Sequence, residues 1–332
     1  MVLLEELLKE AKKKKASDIH VAVGSIPYLR VNGRLQPTSF SPVEQADSLE
    51  ILVQIMTSDQ REKFEERGEF DVAYGDEAKG RYRIHAFKQR KTAAMVFHRI
   101  EEEIPDLDSL GMPAFVKEIC HANKGLCIIS GPVGGGKSMT LAAMVNHINE
   151  NREAFIVTIE NPVEYCHKND KSLIVQREVG SDTKGYGQGL KDALREDADV
   201  IVVGEIADVE TLEGILMAVE TGHLVLAAAP GNHICDSIEY LIRLLRPQKL
   251  EENIRRLAST LRGVVSQRIV SITDYKRQLV FEAIEMDERA KEQIKKGTYE
   301  DLKPNITMKD TIDVLVKNKQ ITSEDGRKLL EN

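Results

Sequence analysis

Apolar and polar residues alternate in short stretches over the first hundred positions of the chain. Apolar side chains occupy every second position from Ile19 to Val23, a spacing that predicts a half-buried β-strand. Asn32-Gly33 stands between two short apolar runs and predicts a hairpin with a type I′ turn. A helix is predicted over residues 45–66, and further strands are predicted at 70–74, 81–87 and 93–100. We therefore expect an α+β domain over residues 1–100.

A different pattern begins after the acidic, proline-containing stretch 101–108, which we interpret as part of a linker over residues 101–113. Continuous apolar runs follow at 126–129, 155–159, 200–203 and 224–227. Runs that are apolar on both faces are typical of a parallel sheet covered by helices on both sides. A second domain is therefore expected over residues 114–285. Beyond about residue 237 the chain is predicted to be mostly helical, with a C-terminal helical segment over 286–332 that ends in a helical pair.

The composition is that of a globular chain, with 332 residues of which 42% are hydrophobic and 30% are charged. No run approaches the roughly 18 apolar residues of a membrane-spanning helix. Charges flank the N-terminal apolar stretch, which predicts a short amphipathic helix rather than a secretory signal peptide. The net charge of −8 argues against a protein that coats nucleic acid, and the four cysteines form no CxxC pair. A reduced cytosolic chain is therefore favoured over a disulfide scaffold or a zinc site.

The strongest chemical signal is GPVGGGKS at Gly131–Ser138, which fits the pattern G-x-x-x-x-G-K-[ST]. Glycines let backbone N–H groups surround phosphate oxygens, and the helix predicted to follow offers the positive end of its dipole. In such a loop Lys137 reaches the β- and γ-phosphates, and the Ser138 hydroxyl ligates Mg²⁺. The residues expected to bind a nucleotide are Gly131, Pro132, Val133, Gly134, Gly135, Gly136, Lys137, Ser138 and Met139.

Acidic residues follow two of the predicted buried strands. Glu205 closes the run 200–203, where a carboxylate can join the Mg²⁺ shell or polarise water, and Glu160 and Glu164 follow the run before it. A lone glutamate after a strand is commonly a surface residue, but two such strand ends beside a phosphate loop favour function. His223 opens the fourth buried run, where a hydrogen-bonded structural histidine is the more common interpretation and a functional one is the alternative.

Several motifs follow one another in the order of a known family. Thr158–Tyr165 (TIENPVEY) resembles its aspartate box, Leu194–Glu205 its atypical Walker B motif, and Glu220–Ala227 (ETGHLVLA) its histidine box. Gly131–Ser138 is similar to its Walker A motif, and Ala16–His20 and Arg30–Gly33 are similar to its opening segment. The chain thus resembles the type IV pilus retraction ATPases (PilT-like) within the type II/IV secretion ATPase superfamily. Relatives that drive assembly or type II secretion carry a four-cysteine zinc insert, so the scattered cysteines favour the retraction branch.

This resemblance implies an α/β fold, with a PAS-like N-terminal domain and a RecA-like P-loop NTPase domain that ends in a helical C-terminal segment. It implies a ring-shaped homohexamer that hydrolyses ATP with Mg²⁺ at subunit junctions. The hexamer would lie at the cytoplasmic face of the inner membrane, held only through partners, and pull on a pilus through a membrane platform protein. No nucleic acid partner is expected.

The resemblance also assigns roles to single residues. It makes Glu164 the general base for water, Glu205 the Walker B carboxylate and His223 an interdomain coupling residue. Arg81 and Arg83 match the strand whose arginines complete a neighbouring subunit's site, where positive charge neutralises the transferred phosphoryl group.

The chain departs from the family pattern at several polar positions. It has Asn161 where aspartate is usual, Ala207 in place of an arginine, His98 in place of an N-terminal arginine, and Pro230 and Gly231 in place of a histidine and a threonine. These departures leave open a second function, a nucleotide-binding regulatory paralogue that assembles with a true motor and turns over poorly. A DNA-translocating relative is a third, disfavoured by the acidic charge.

Overall fold

The computed structural model describes residues 2–76, 80–100, 103–273 and 276–331. The chain divides into two compact units: Met1–Glu103 with Asn161–Tyr165, and Ile104–Glu160 with Cys166–Asn332. Glu101 and Glu102, where the predicted linker begins, lie outside the described residues, as do Met1 and Asn332, the ends of the first and last predicted segments.

In its described residues the first unit is an antiparallel sheet with three helices. The helices are α1 (Val2–Lys13), α2 (Gln45–Ile55) and α3 (Ser58–Arg67). The strands are β1 (Asp18–Ala22), β2 (Tyr28–Val31), β3 (Arg34–Pro37), β4 (Glu69–Asp76), β5 (Gly80–Gln89) and β6 (Thr92–Ile100). They lie side by side in the order β3-β2-β1-β6-β5-β4, and one apolar cluster joins the sheet to its helices. The strands predicted for this region are confirmed.

Two local features of this unit follow from named residues. Asn32 and Gly33 have φ values of +53° and +78°, so the turn between β2 and β3 has the positive φ values of the predicted type I′ hairpin. The single helix predicted over 45–66 is wrong, because the chain breaks between α2 and α3. At the break the Thr57 side chain accepts a hydrogen bond from the Gln60 N–H, and the Gln60 side chain accepts one from the Thr57 N–H. These two reciprocal hydrogen bonds form a capping box, which marks the start of α3.

The second unit is a sheet covered by helices. Its strands are β7 (Gly125–Ser130), β8 (Phe155–Glu160), β9 (Leu173–Glu178), β10 (Val200–Val203), β11 (Leu224–Ala229), β12 (Leu261–Thr273) and β13 (Lys276–Glu285). Its helices are α4 (Ala114–His121), α5 (Lys137–Asn151), α6 (Tyr186–Ala193), α7 (Val209–Glu220), α8 (Ile234–Leu244), α9 (Leu250–Thr260), α10 (Glu288–Lys295), α11 (Met308–Lys317) and α12 (Ser323–Glu331).

The sheet has the order β13-β12-β7-β11-β10-β8-β9, and every neighbouring pair is parallel except β12 with β13. Both of its faces are buried. Along β7, Leu126 and Ile128 belong to one apolar cluster, and Cys127 and Ile129 belong to another on the opposite face. The continuous apolar runs arise because a strand covered on both sides needs apolar residues at successive positions.

The interpretation of the chain beyond residue 237 as mostly helical is wrong for 261–285, which form β12 and β13. Val264 and Val265 are fully buried in β12, which pairs with β7, so β-branched residues here pack within the sheet. The predicted helical pair at the C-terminus is confirmed as α11 and α12. None of the helices in the described part of the chain combines the length and the apolar character that a membrane span requires. The predicted fold class, a PAS-like α+β domain with a RecA-like P-loop domain and a helical C-terminal segment, is confirmed.

Candidate functional site

The glycine-rich loop lies between the end of β7 at Ser130 and the start of α5 at Lys137. The loop turns through Gly134 and Gly136, whose φ values are +74° and +82°. The Gly135 N–H donates to the Pro132 carbonyl at 3.0 Å and closes the turn, while Val133 stands 98% exposed at its tip. The strand, loop and helix expected from the motif are therefore present in this order.

The loop and the helix together form a cradle of the kind that binds phosphate. Gly136 is the N-cap of α5, so the N-terminus of this helix presents its first backbone N–H groups and its positive dipole end to the loop. The Lys137 Nζ donates to the carbonyls of Gly131 and Pro132, both at 2.9 Å, which folds the lysine across the loop. The loop has no room for a side chain at Gly135, where a Cβ would lie 2.9 Å from the Pro132 oxygen. The residues present fit a bound phosphate chain.

The start of α5 also fits a Mg²⁺ ion that is held mainly by phosphate and water. Among the described residues no group of three or more His, Cys, Asp or Glu side chains is placed to hold a metal ion. Mg²⁺ in nucleotide sites is commonly bound by one or two protein oxygens together with phosphates, and the Ser138 hydroxyl, at the first turn of α5, is such an oxygen.

Glu205 lies just beyond β10, at the same edge of the sheet as the phosphate loop. The carboxyl ends of β7 and β10 meet there, with β11 between them, a spacing of about 10 Å between strand axes. Glu205 is exposed, and behind it the Tyr240 hydroxyl donates to the Ile206 carbonyl at 2.7 Å. Burial and the carboxylates of Glu205 and Asp208 raise the pKa of Tyr240. The structure therefore places the two predicted Mg²⁺ residues, Ser138 and Glu205, on one edge.

The two other candidate glutamates, Glu160 and Glu164, belong to different units of the structure. Glu160 is the last residue of β8, and its Oε1 accepts hydrogen bonds from Thr158 Oγ1 at 2.6 Å and from Gln176 Nε2 at 3.2 Å. The bond from Gln176 links β9 to β8, so Glu160 has a structural use. Glu164 belongs to the segment Asn161–Tyr165, which groups with the first unit.

Within the first unit, Arg81 and Arg83 of β5 both contact the segment 161–165. The Arg81 guanidinium donates to the Val163 carbonyl (Nη2, 2.6 Å) and to the Glu164 carbonyl (Nε, 2.9 Å). The Arg83 Nη1 lies 3.6 Å from Glu164 Oε1, and its Nε lies 3.7 Å from Asp71 Oδ1. The structure thus brings together three of the predicted catalytic residues.

His223 precedes β11 at the amino edge of the sheet, opposite the phosphate loop. Its Nδ1 lies 2.8 Å from the Ala218 carbonyl and 3.2 Å from Thr221 Oγ1, so the ring is hydrogen-bonded to the end of α7. Six residues of β11 separate it from the carboxyl edge, about 20 Å along the strand. The structure does not bring His223 together with the phosphate loop.

Two of the positions at which the chain departs from the expected family pattern, Gly231 and His98, make local contacts in the structure. Gly231, where the family resemblance leads us to expect a threonine, has a φ of +139°, and a Cβ built on it would lie 2.3 Å from Ser237 Oγ. A threonine would therefore be strained at this position, both by the backbone conformation and by the contact with Ser237. In the first unit His98 stands where the family resemblance leads us to expect an arginine, and its Nδ1 lies 2.7 Å from Asp18 Oδ1. Although burial acts the other way, hydrogen bonds from His98 and Ser17 lower the pKa of Asp18.

One residue beside the loop was missed by the sequence reasoning. Gln267 of β12 is 1% exposed, and its side chain hydrogen-bonds both Gly135 and Thr140. The signal that could have found its strand is the run of β-branched residues between Val264 and Ile272.

Known proteins resemble this chain along nearly all of its length. The model of the family described as "Type II/IV secretion system protein" matches residues 1–324. The type IV pilus ATPase PilU of Pseudomonas aeruginosa is 35% identical over 301 residues, which cover 90% of this chain and 79% of PilU. The type IV pilus retraction ATPase PilT of the same organism is 36% identical over 267 residues, which cover 80% of this chain and 78% of PilT.

A solved structure shows the same similarity in three dimensions. The crystal structure of the pilus retraction motor PilT with bound ADP aligns with a TM-score of 0.87 and 35% identity, over 98% of this chain and 96% of that one. The predicted resemblance to the retraction ATPases is therefore confirmed. The chain belongs to the type II/IV secretion system protein family.

Proposed function

We propose that this chain is the subunit of an ATP-hydrolysing motor that powers type IV pilus retraction or a related secretion machine. The observation that carries the proposal is the phosphate cradle, in which Lys137 and the N-terminus of α5 converge on a glycine loop at the same sheet edge as Glu205. The similarity to PilT, whose structure holds ADP, supports the choice of an adenine nucleotide. As a motor subunit the chain would act in the cytoplasm, at the membrane only through a platform partner.

The chemistry proposed for each residue combines its charge and position with the role that the family resemblance implies. The loop N–H groups and Lys137 bind the β- and γ-phosphates, and Ser138 and Glu205 hold Mg²⁺, which when bound neutralises charge on the phosphates. Glu164 is the proposed general base for the attacking water. His223, hydrogen-bonded to the end of α7, is proposed to act in coupling rather than on the phosphates.

The two arginines have separate roles in this proposal. Arg81 donates to two backbone carbonyls at 163 and 164 and so holds the backbone beside Glu164. Arg83 contacts carboxylates at more than 3.5 Å, which leaves its guanidinium able to exchange Glu164 for a phosphate. We propose that Arg83 completes the site of a neighbouring subunit, as the family resemblance implies.

Replacing Arg83 with alanine tests the motor directly. Arg83→Ala is expected to leave ATP affinity near the wild-type value and to lower steady-state phosphate release by about 100-fold or more, because a transferred phosphoryl group loses a neutralising charge. Binding is measured with a fluorescent ATP analogue and turnover with Mg-ATP. Arg67→Ala removes an exposed charge from α3 of the same unit and serves as the control. Unchanged turnover in Arg83→Ala would contradict its role, and lost ATP binding would show that Arg83 is structural.

The assembly makes a separate prediction. With ATP or ADP present, light scattering is expected to give a mass of about six chains of 37.2 kDa, because catalysis at subunit junctions requires a closed ring. A monomer at micromolar concentration would contradict ring mechanics. The measurement is repeated with Arg83→Ala, which is expected to keep the ring.

A second candidate function is supported by Gly231, in the loop after β11. The family resemblance leads us to expect a threonine at this position, and the backbone of Gly231 beside Ser237 leaves no room for one. We therefore keep as an alternative a nucleotide-binding regulatory paralogue that assembles with a separate motor ATPase. Tight ATP binding with no phosphate release above that of a Lys137→Ala variant would favour this alternative over the motor.

A further inference from the structure

A buried glutamine lies directly beneath the phosphate loop. Gln267 is on β12, which pairs in parallel with β7 so that Ser266 lies opposite Ser130. This register puts Gln267 beside Gly131, the first residue of the loop. A Cβ built on Gly131 would lie only 2.3 Å from the Gln267 carbonyl oxygen, so β12 forms the floor of the loop.

The side chain of Gln267 joins the loop to the helix that follows it. Its Nε2 donates to the Gly135 carbonyl at 2.8 Å, and its Oε1 accepts from the Thr140 hydroxyl at 2.8 Å. Because the Gly135 carbonyl only accepts, the nitrogen of the amide must face it, which leaves the oxygen for Thr140. Thr140 is fully buried in the first turn of α5, so both hydrogen bonds are shielded from water.

The bond to Gly135 determines where a loop N–H points. The Gly135 carbonyl and the Gly136 N–H belong to one peptide unit, and in a planar trans peptide these two groups point in opposite directions. A carbonyl held down toward Gln267 therefore turns the Gly136 N–H up, away from the floor and toward the side where phosphate binds.

We propose that Gln267 is a positioning residue that orients the Gly135–Gly136 peptide for phosphate binding. The inference rests on the proposed function, because it concerns the same nucleotide site. It assigns a role to a residue more than 120 positions beyond the loop, on a strand that carries none of the recognised motifs. Glycines have no side chains that could hold such a loop in one conformation, so its conformation depends on contacts with β12.

Two variants of the full-length chain test the proposal. Gln267→Met keeps the length of the side chain and removes both hydrogen bonds, while Thr140→Val removes only the bond that orients the amide. Thr211→Val is the matched control, since this fully buried hydroxyl on α7 has no hydrogen-bond partner among the described residues. The measurements are ADP affinity and hydrogen exchange of the peptide covering residues 131–139 without nucleotide.

Gln267→Met is expected to weaken ADP binding about tenfold and to increase exchange at residues 131–139, with β13 and α7 unchanged. Thr140→Val is expected to do the same to a smaller degree, and the double variant to lose no more ADP affinity than Gln267→Met alone, because the two residues share one network. Unchanged exchange at 131–139, or an increase spread evenly over the second unit, would overturn the proposal. A wild-type chain that did not bind ADP would contradict the proposed function, and the exchange measurement would still decide the role of Gln267.

Discussion

Replacing Lys137 with alanine is expected to reduce phosphate release from Mg-ATP by about 100-fold or more. Lys137 is the only charged side chain of the loop, and its Nζ already lies across it, 2.9 Å from two loop carbonyls. In the proposed function this ammonium group neutralises charge on the β- and γ-phosphates as the bond to the leaving group breaks. Alanine keeps the start of α5, because it is a good helix former, and removes only the charge.

The comparison that isolates this effect uses phosphate release and ATP binding on the same preparations. Lys171→Ala, which removes an exposed lysine from the second unit, is expected to match the wild type. Glu205→Gln is expected to keep ATP binding and lose most turnover, since an amide is a poor Mg²⁺ ligand in place of a carboxylate. If Lys137→Ala and Glu205→Gln both released phosphate at the wild-type rate, the activity would come from a contaminant or from another site. That result would contradict the proposed chemistry.

The local parts of the phosphate site could be predicted from sequence, because they depend on neighbours in the chain. The glycines, the lysine and the strand and helix on either side lie within about 25 consecutive residues, and each follows from apolar periodicity or from a turn requirement. Gln267 could not be predicted in this way. Its position under the loop depends on the register between β12 and β7, and no local pattern specifies which strand pairs with β7.

The grouping of Glu164 with the first unit could not be predicted either, because it depends on contacts between residues far apart in the sequence. Sequence order places Asn161–Tyr165 directly after β8, in the middle of the second unit's elements. The hydrogen bonds from Arg81 to the carbonyls of Val163 and Glu164 join residues more than 80 positions apart. The break at Thr57, by contrast, was accessible, because the Thr-x-x-Gln pattern of a capping box is present in the sequence and outweighs the continuous helical spacing.

Replacing Gly131 with alanine is expected to disable the phosphate site through the backbone alone. The new Cβ would lie 2.3 Å from the Gln267 carbonyl oxygen, far inside van der Waals contact, and this oxygen belongs to a strand that cannot rotate away. The strands β7 and β12 must therefore separate at the end where the loop begins. Overpacking of this kind costs about 1–3 kcal/mol in the free energy of unfolding.

The separation should affect binding more than stability, because the loop N–H groups bind phosphate only when all of them converge. Gly131→Ala is expected to lower the melting midpoint by roughly 2–10 °C and to weaken ADP binding at least about tenfold. The control is Gly185→Ala, because a Cβ there has no neighbour within 4 Å and the extended backbone accepts any residue. Both quantities are measured by thermal unfolding with and without ADP. If Gly131→Ala matched Gly185→Ala in midpoint and in ADP-induced shift, the close packing of β12 under the loop would not constrain nucleotide binding. The floor formed by Gln267 would then have no role in the site.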